Sequence, residues 1–199
     1  MNGRCAGDPS PFVEFWTRDA RGGTALDVAC GLGRHVRLLL SRGVAVVAVD
    51  RDEAALDAIA NEHADAVANA RLELVSADLE NASWPLGDRQ FDFVVVTNYL
   101  WRPLLPRVLA AVAPNGTLLY ETFRTGHERF GRPSNPDFLL QPGELRAVVG
   151  DAFEILLFED GPEGDPPTAM RQRIAARRKK DATLEWRGAD ATGRLRAIE

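Results

Sequence analysis

Hydrophobic positions along the chain change their spacing repeatedly, and the changes mark out alternating strands and helices. Thr24 to Ala29 is an apolar run of strand length ending in Cys30-Gly31-Leu32-Gly33, after which Val36, Leu38, Leu39 and Leu40 build a helix that Gly43 closes. Val44 to Val49 is β-branched or alanine at every position, the pattern of a strand covered on both faces, and it ends at Asp50. Asp52 caps a helix carrying Ala55, Leu56, Ile59, Ala60, His63, Ala66 and Val67, and Leu72 to Ala77 is a third strand finishing at Asp78. Phe91 to Thr97 is a fourth strand, followed by a helix from about Pro103 to Val112. The turn Pro114-Asn115-Gly116 then launches a fifth strand, Thr117 to Phe123. Ahead of them, Ser10 and Pro11 precede Phe12, Val13, Phe15 and Trp16, an N-cap and first-turn proline for a short leading helix.

Five strands alternating with helices predict an α/β fold with a parallel, doubly wound sheet, because crossovers between parallel strands are almost always right-handed. The rhythm then breaks. A loop rich in Gly, Pro and charge, Arg124 to Pro136, leads into a helix near Pro142 to Val149. Phe153 to Phe158 and Met170 to Ala176 follow as strands joined by a turn too short for a crossover, so they must be antiparallel neighbours. Residues 1–180 are expected to form one domain and 181–199 a C-terminal tail.

Composition narrows the class. At 45% hydrophobic and 27% charged residues the chain is neither disordered, collagen-like nor membrane-embedded. The net charge of -5 argues against a general attraction to nucleic acid or anionic lipid. No stretch reaches the ~18 apolar residues of a membrane span, and Met1 to Ser10 lacks the apolar core of a signal peptide. Cys5 and Cys30 are too few for a disulfide framework or a zinc site. A cytoplasmic protein with no membrane partner and no metal is expected.

In an open parallel sheet, ligands bind beyond the carboxyl ends of the strands, where the strand order reverses. The residues with chemical potential sit at those ends. Gly31 and Gly33 let the backbone turn sharply and approach a ligand at the start of the next helix. A nicotinamide-dinucleotide fingerprint would add a third glycine where Val36 stands. A carboxylate at Asp50 can accept from both hydroxyls of a ribose, and Asp78, one strand further out, can accept from a purine amine. A further acid at Asp27 is unfavourable beside phosphates but tolerable near an ammonium or sulfonium, which points to a cationic nucleoside.

With these residues the chain resembles the class I S-adenosylmethionine-dependent methyltransferases. Asp27 to Gly33 is similar to their first motif, with Ala29 at the usual first glycine; Asp50 matches the ribose-binding acid and Asp78 the adenine-binding acid. The resemblance covers residues 24 to about 178 and implies a Rossmann-like sheet of seven strands ordered 3-2-1-4-5-7-6 with an antiparallel last strand. It implies S-adenosyl-L-methionine as cofactor, held by Asp27, Ala29, Cys30, Gly31, Gly33, Asp50, Arg51, Asp78, Leu79 and Asn98. Gly31-Leu-Gly-Arg34, Tyr120-Glu-Thr-Phe123 and Phe138-Leu-Leu-Gln-Pro-Gly-Glu144-Leu145-Arg146 resemble the TehB-like tellurite-resistance branch and its small-molecule relatives. Those proteins tend to carry a His-Arg pair between the last two strands, where Asp160 to Thr168 is acidic and rich in Pro and Gly here.

The expected activity is methyl transfer to a small-molecule acceptor such as a thiol or chalcogen oxyanion. Groups facing the methyl would come from Tyr99, Trp101 and Arg102 after the fourth strand. After the fifth, Glu121, Arg124 and His127 are the catalytic candidates. Blander readings stand beside these. Asp78 could form a local turn, Asp92 is structural, His35 and Cys30 suit packing, His63 has no chemical role, and the Arg171 to Lys180 run suits a solvated face. That run could instead dock RNA or protein, which would make the chain an RNA or protein methyltransferase. A nicotinamide-dependent oxidoreductase and a non-catalytic nucleoside sensor are the remaining alternatives.

Overall fold

The computed structural model describes residues 7–182. Its elements are α1 (Pro11–Thr17), β1 (Thr24–Val28), α2 (Arg34–Ser41), β2 (Ala45–Asp50), α3 (Glu53–Glu62), α4 (Ala64–Ala68), β3 (Leu72–Ser76), β4 (Phe91–Thr97), α5 (Leu105–Ala110), β5 (Val112–Phe123), α6 (Glu144–Val149), β6 (Phe153–Glu163) and β7 (Ala169–Arg178). They form one seven-stranded sheet in the order β3-β2-β1-β4-β5-β7-β6. β7 runs antiparallel to both neighbours and the other pairings are parallel, the topology that the resemblance implies.

The period-two alternation of each central strand feeds two cores. Leu26, Val28, Val47, Val49, Val94, Val96, Leu118 and Tyr120 face one side, where Leu105, Val108 and Leu109 of α5 and Leu145 and Val149 of α6 cover them. Ala25, Val46, Ala48, Val95 and Leu119 face the other, under Phe12 and Val13 of α1, Val36 and Leu39 of α2, and Leu56 and Ile59 of α3. Each fully buried Leu or Val contributes about 1.5–3 kcal/mol relative to exposure, so the strands that carry the site rest on a rigid base.

Several boundaries move for physical reasons. The helix expected from about Pro103 shortens to a 3-10 turn, Arg102–Leu104, followed by α5, because Pro103 and Pro106 lack the N–H of a helix interior and occupy first turns. β5 reaches back to Val112, pairing with Phe91 across a bulge. A Cβ at Gly116 would lie 2.8 Å from the Phe91 carbonyl oxygen, so only glycine fits there. The helix capped by Asp52, whose Oδ1 accepts from the Ala55 N–H at 3.1 Å, breaks at His63 into α3 and α4. β6 and β7 are longer than their apolar stretches. Ser10 precedes α1 without a side-chain cap; its N–H donates instead to Nε2 of His35 at 3.1 Å, and burial pushes that imidazole down to about 3. Among the described residues no helix is long and apolar enough to cross a membrane. The expected tail lies outside them from residue 183 onward.

Candidate active site

Strand order reverses between β1 and β4, and the carboxyl ends of β1, β2, β3 and β4 surround a cleft of about 210 Å³. Its lining is Ala29, Asp50, Arg51, Ala77, Asp78, Leu79, Glu80 and Tyr99. The β1 exit turns through left-handed backbone at Ala29 (φ 55°), Gly31 (φ 54°) and Gly33 (φ 75°). Ala29 carries a Cβ in that region at a cost of roughly 1 kcal/mol. A Cβ on Gly33 would lie 2.8 Å from the Ile59 side chain, so α2 can pack against α3 this closely only with glycine there. A Cβ on Gly31 would enter open space with no heavy atom within 4 Å, so the glycine keeps a recess clear.

Asp50 braces the recess. Its Oδ2 accepts from the Gly31 N–H at 2.7 Å and its Oδ1 from the Asp52 N–H at 2.9 Å. A carboxylate has about four lone-pair sites, so lone pairs remain for a ligand's hydroxyls. Asp78 accepts from the Glu80 N–H at 3.0 Å and from Asn81 Nδ2 at 2.8 Å, and the Asn81 contact leads in holding its carboxyl below the usual range. The local turn and a ligand-facing position therefore coexist at Asp78.

Asp27 is different. It is 1% exposed, and its Oδ2 has no hydrogen-bond partner. Burial pushes its carboxyl up to about 7, opposed by the Arg34 guanidinium and reinforced by Asp50. Arg34, the first residue of α2, also donates to Thr97 Oγ1 at 3.3 Å and to the Asp8 carbonyl at 3.4 Å, tying the segment before α1 to the β4 end. A buried, unpartnered carboxyl beside a recess suits a ligand ammonium. Burial drives the Cys30 thiol upward, with Asp27 and Asp50 adding to it, so the thiol stays protonated as a packing residue.

Of the candidates after β4, only Tyr99 lines the cleft. Its hydroxyl is buried without a partner, and burial, then Glu80 and Asp78, push it above the usual phenol range. Arg102 does not serve a methyl-facing role: it clasps buried Glu144 through two contacts, 2.7 and 2.9 Å, and donates to the Asp137 and Leu139 carbonyls. Trp101 packs against the core.

The catalytic candidates cluster at the β5 end, away from the cleft lining. Glu121 is 4% exposed, and its Oε2 accepts from Arg173 Nε at 2.9 Å. Arg124 lies 2.6 Å from Asp160. His127 stacks on Phe123 with ring centroids 4.0 Å apart; its Nδ1 accepts from the Met170 N–H at 3.4 Å, so Nε2 carries the proton that reaches the Arg132 carbonyl at 3.1 Å. Arg171 and Arg173 turn inward, contrary to a solvated face. Glu163 pairs with both, and Arg173 also reaches Glu159. Sequence reasoning missed Ala77 and Glu80 of the lining and the contact of Arg171 with Asn98; Ala77 and Glu80 flank the Asp78-Leu79 pair, so only their adjacency to it could have flagged them. Asp92, as expected, is structural, accepting from the Thr24 N–H at 2.8 Å.

Residues 25–116 match the family model of a methyltransferase domain. No curated protein matches the chain. Among solved structures, an S-adenosylmethionine-dependent methyltransferase from Mesorhizobium loti superposes with a TM-score of 0.66 at 18% identity, covering 84% of this chain and 96% of that one. TehB from Haemophilus influenzae gives 0.65 at 20% identity over 86% of this chain and 63% of its own. The Burkholderia thailandensis 1,6-didemethyltoxoflavin-N1-methyltransferase, solved with 1,6-didemethyltoxoflavin and S-adenosylhomocysteine bound, gives 0.62 at 18% over 85% and 77%. At these identities the structural likenesses speak for the fold.

Proposed function

We propose that this chain is a class I S-adenosylmethionine-dependent methyltransferase that transfers the cofactor's methyl group to a small-molecule acceptor. The observation that carries the proposal is the cleft itself, lined by Asp50 and Asp78 at successive strand ends and by Ala29 of the left-handed β1 exit, with the buried, unpartnered acid Asp27 two residues before Ala29. In this reading Asp50 holds the ribose hydroxyls. Asp78 and Leu79 meet the adenine, with Arg51 at the rim. The backbone from Ala29 through Cys30 to Gly33 lies along the ligand, and Asp27 and Asn98 face its amino-acid end. Bound there, the cofactor supplies a methyl carbon already activated by a sulfonium, so the chain's task is alignment and exclusion of water.

An acceptor aligned with the carbon–sulfur bond could then take the methyl with S-adenosylhomocysteine as leaving group, and any proton on the nucleophile would have to pass to a base or to water. Glu121, Arg124 and His127 stand on the acceptor side. Each is held by partners inside the protein, which suits shaping a pocket better than carrying a mobile proton. Replacing each by alanine is expected to lower turnover with little loss of cofactor affinity; unchanged kinetics in all three removes them from the reaction.

Two observations favour a small acceptor over RNA. Arg171 and Arg173, the inner half of the basic run, are spent on acids, and the exposed part is reduced to Arg177, Lys179 and Lys180. Screening thiols, chalcogen oxyanions, amines and phenols for S-adenosylhomocysteine formation tests the proposal. Salt-sensitive RNA binding, with no small molecule methylated, overturns it.

A further inference from the structure

Asn98 stands at the seam between the cleft and the ion-paired cluster of β5, β6 and β7. It follows β4 directly, precedes the cleft residue Tyr99, and takes left-handed backbone at φ 54°. Its own N–H is fixed to the Glu121 carbonyl at 2.9 Å. On the far side, Arg171 Nη1 donates to Asn98 Oδ1 at 2.6 Å. Arg171 is itself immobilised, with its guanidinium carbon 4.0 Å above the Phe123 ring and its Nε 2.6 Å from Glu163.

The chemistry of that contact fixes the carboxamide. A guanidinium has only donors, so the amide oxygen must face Arg171 and the NH2 group must face away. Asn98 is exposed, and among the described residues Nδ2 donates to no protein atom. Arg171 is neutralised by Glu163, so what the seam presents is a dipole rather than a net charge.

We propose that Asn98 Nδ2 is an acceptor-binding donor that selects substrates carrying an oxygen lone pair, as carboxylate, oxyanion or phenolic oxygen, beside the atom to be methylated, and that Arg171 is the positioning residue that holds the amide this way round. An alkylammonium finds no lone pair there and is disfavoured. The proposal rests on the small-acceptor reading, which it deepens by naming the group recognised.

The test uses the full chain, 15N-labelled and saturated with S-adenosylhomocysteine, titrated with thioglycolate, selenite, phenol and ethylamine while the Asn98 side-chain NH2 resonance is followed, assigned by its loss in Asn98→Asp. At least one oxygen-bearing probe is expected to shift that resonance saturably, and ethylamine is not. Asn98→Asp keeps the link to Arg171 but replaces donors by acceptors, and should weaken that probe's binding at least tenfold when variant and wild type are each saturated with S-adenosylhomocysteine. Arg171→Leu frees the amide to rotate and should weaken it about threefold to tenfold, with Arg171→Lys, again donor-only, recovering most of the loss. No shift with any oxygen-bearing probe, an equal shift with ethylamine, or an unaffected Asn98→Asp variant overturns the inference. Shifts without methylation of any acceptor in the wider panel instead sink the small-acceptor reading and leave the donor assignment standing.

Discussion

On the proposed reading, in which Asp27 meets the cofactor's ammonium, its carboxyl should make cofactor affinity depend on pH in a way that can be worked out beforehand. In the free protein burial raises it to about 7 from an ordinary 3.8. A ligand ammonium reaching its unpartnered Oδ2 favours the ionised form, so below pH 7 each binding event must expel a proton. If the bound-state value returns to the ordinary range, affinity falls about tenfold at pH 6 and about 100-fold at pH 5 from its plateau. The same linkage acts on folding. The native free protein holds a proton here that the unfolded chain has released between 3.8 and 7, so this carboxyl's contribution to stability falls as pH rises through that window, by at most about 4 kcal/mol. Titration calorimetry with S-adenosylhomocysteine from pH 5 to 7.5, in two buffers of different ionisation enthalpy, reads both the slope and the proton released. Thermal melts of the free protein over the same range read the stability. Asp27→Asn should flatten the affinity profile and, in the melts, leave only the opposite slope of buried His35, whose neutral native form makes stability rise with pH up to the ordinary 6.5. A wild-type affinity constant within twofold across the range, or an Asp27→Asn variant that keeps the slope, refutes the reasoning.

Asp50→Ala removes the acceptor braced to the Gly31 N–H and the proposed ribose contact together, and should weaken S-adenosylhomocysteine binding by about 10- to 100-fold in calorimetry, the scale of one or two charge-assisted hydrogen bonds. Arg102→Met strands Glu144, 1% exposed on its side chain, and is expected to cost about 3–5 kcal/mol in urea unfolding, whereas the double variant Arg102→Met with Glu144→Leu recovers most of it. A single variant as stable as wild type would show the clasp to be inert. His35→Leu leaves the buried Ser10 N–H unpaired and should cost about 1–3 kcal/mol in urea unfolding at pH 8; because the native imidazole stays neutral while the unfolded one takes up a proton below the ordinary 6.5, wild type loses up to about 2 kcal/mol by pH 5 that the variant does not, so the gap narrows there.

How much of this was legible in the sequence depended on whether the determining contact was local. The strand ends at Asp27, Asp50 and Asp78 are set by apolar runs and turn residues within a few positions, and they fell where the pattern put them. Apolar spacing alone overextends the helix after β4, because it carries no information about the two prolines that confine it. The ends of β6 and β7 escaped notice because edge pairing carries polar residues such as Glu159 and Arg173 that period-two reading discards. At the site, the partners of Arg102 and Arg171 lie 42 and 73 residues away, and no spacing rule connects such positions. An arginine run therefore looked like a solvated face until β7 turned two of its members inward. Arg102, adjacent to the site in sequence, proved to be committed elsewhere.

The hydrogen bond from Gly31 to Asp50 ties neighbouring strand tips together before any ligand arrives. Little of the loop's entropy is then left to lose on complex formation, so the heat capacity change on loading should reflect desolvated surface rather than ordering of the chain. On the proposed reading, acceptor preference can then change around Arg124 and His127 while the part of the pocket assigned to the nucleoside keeps its shape.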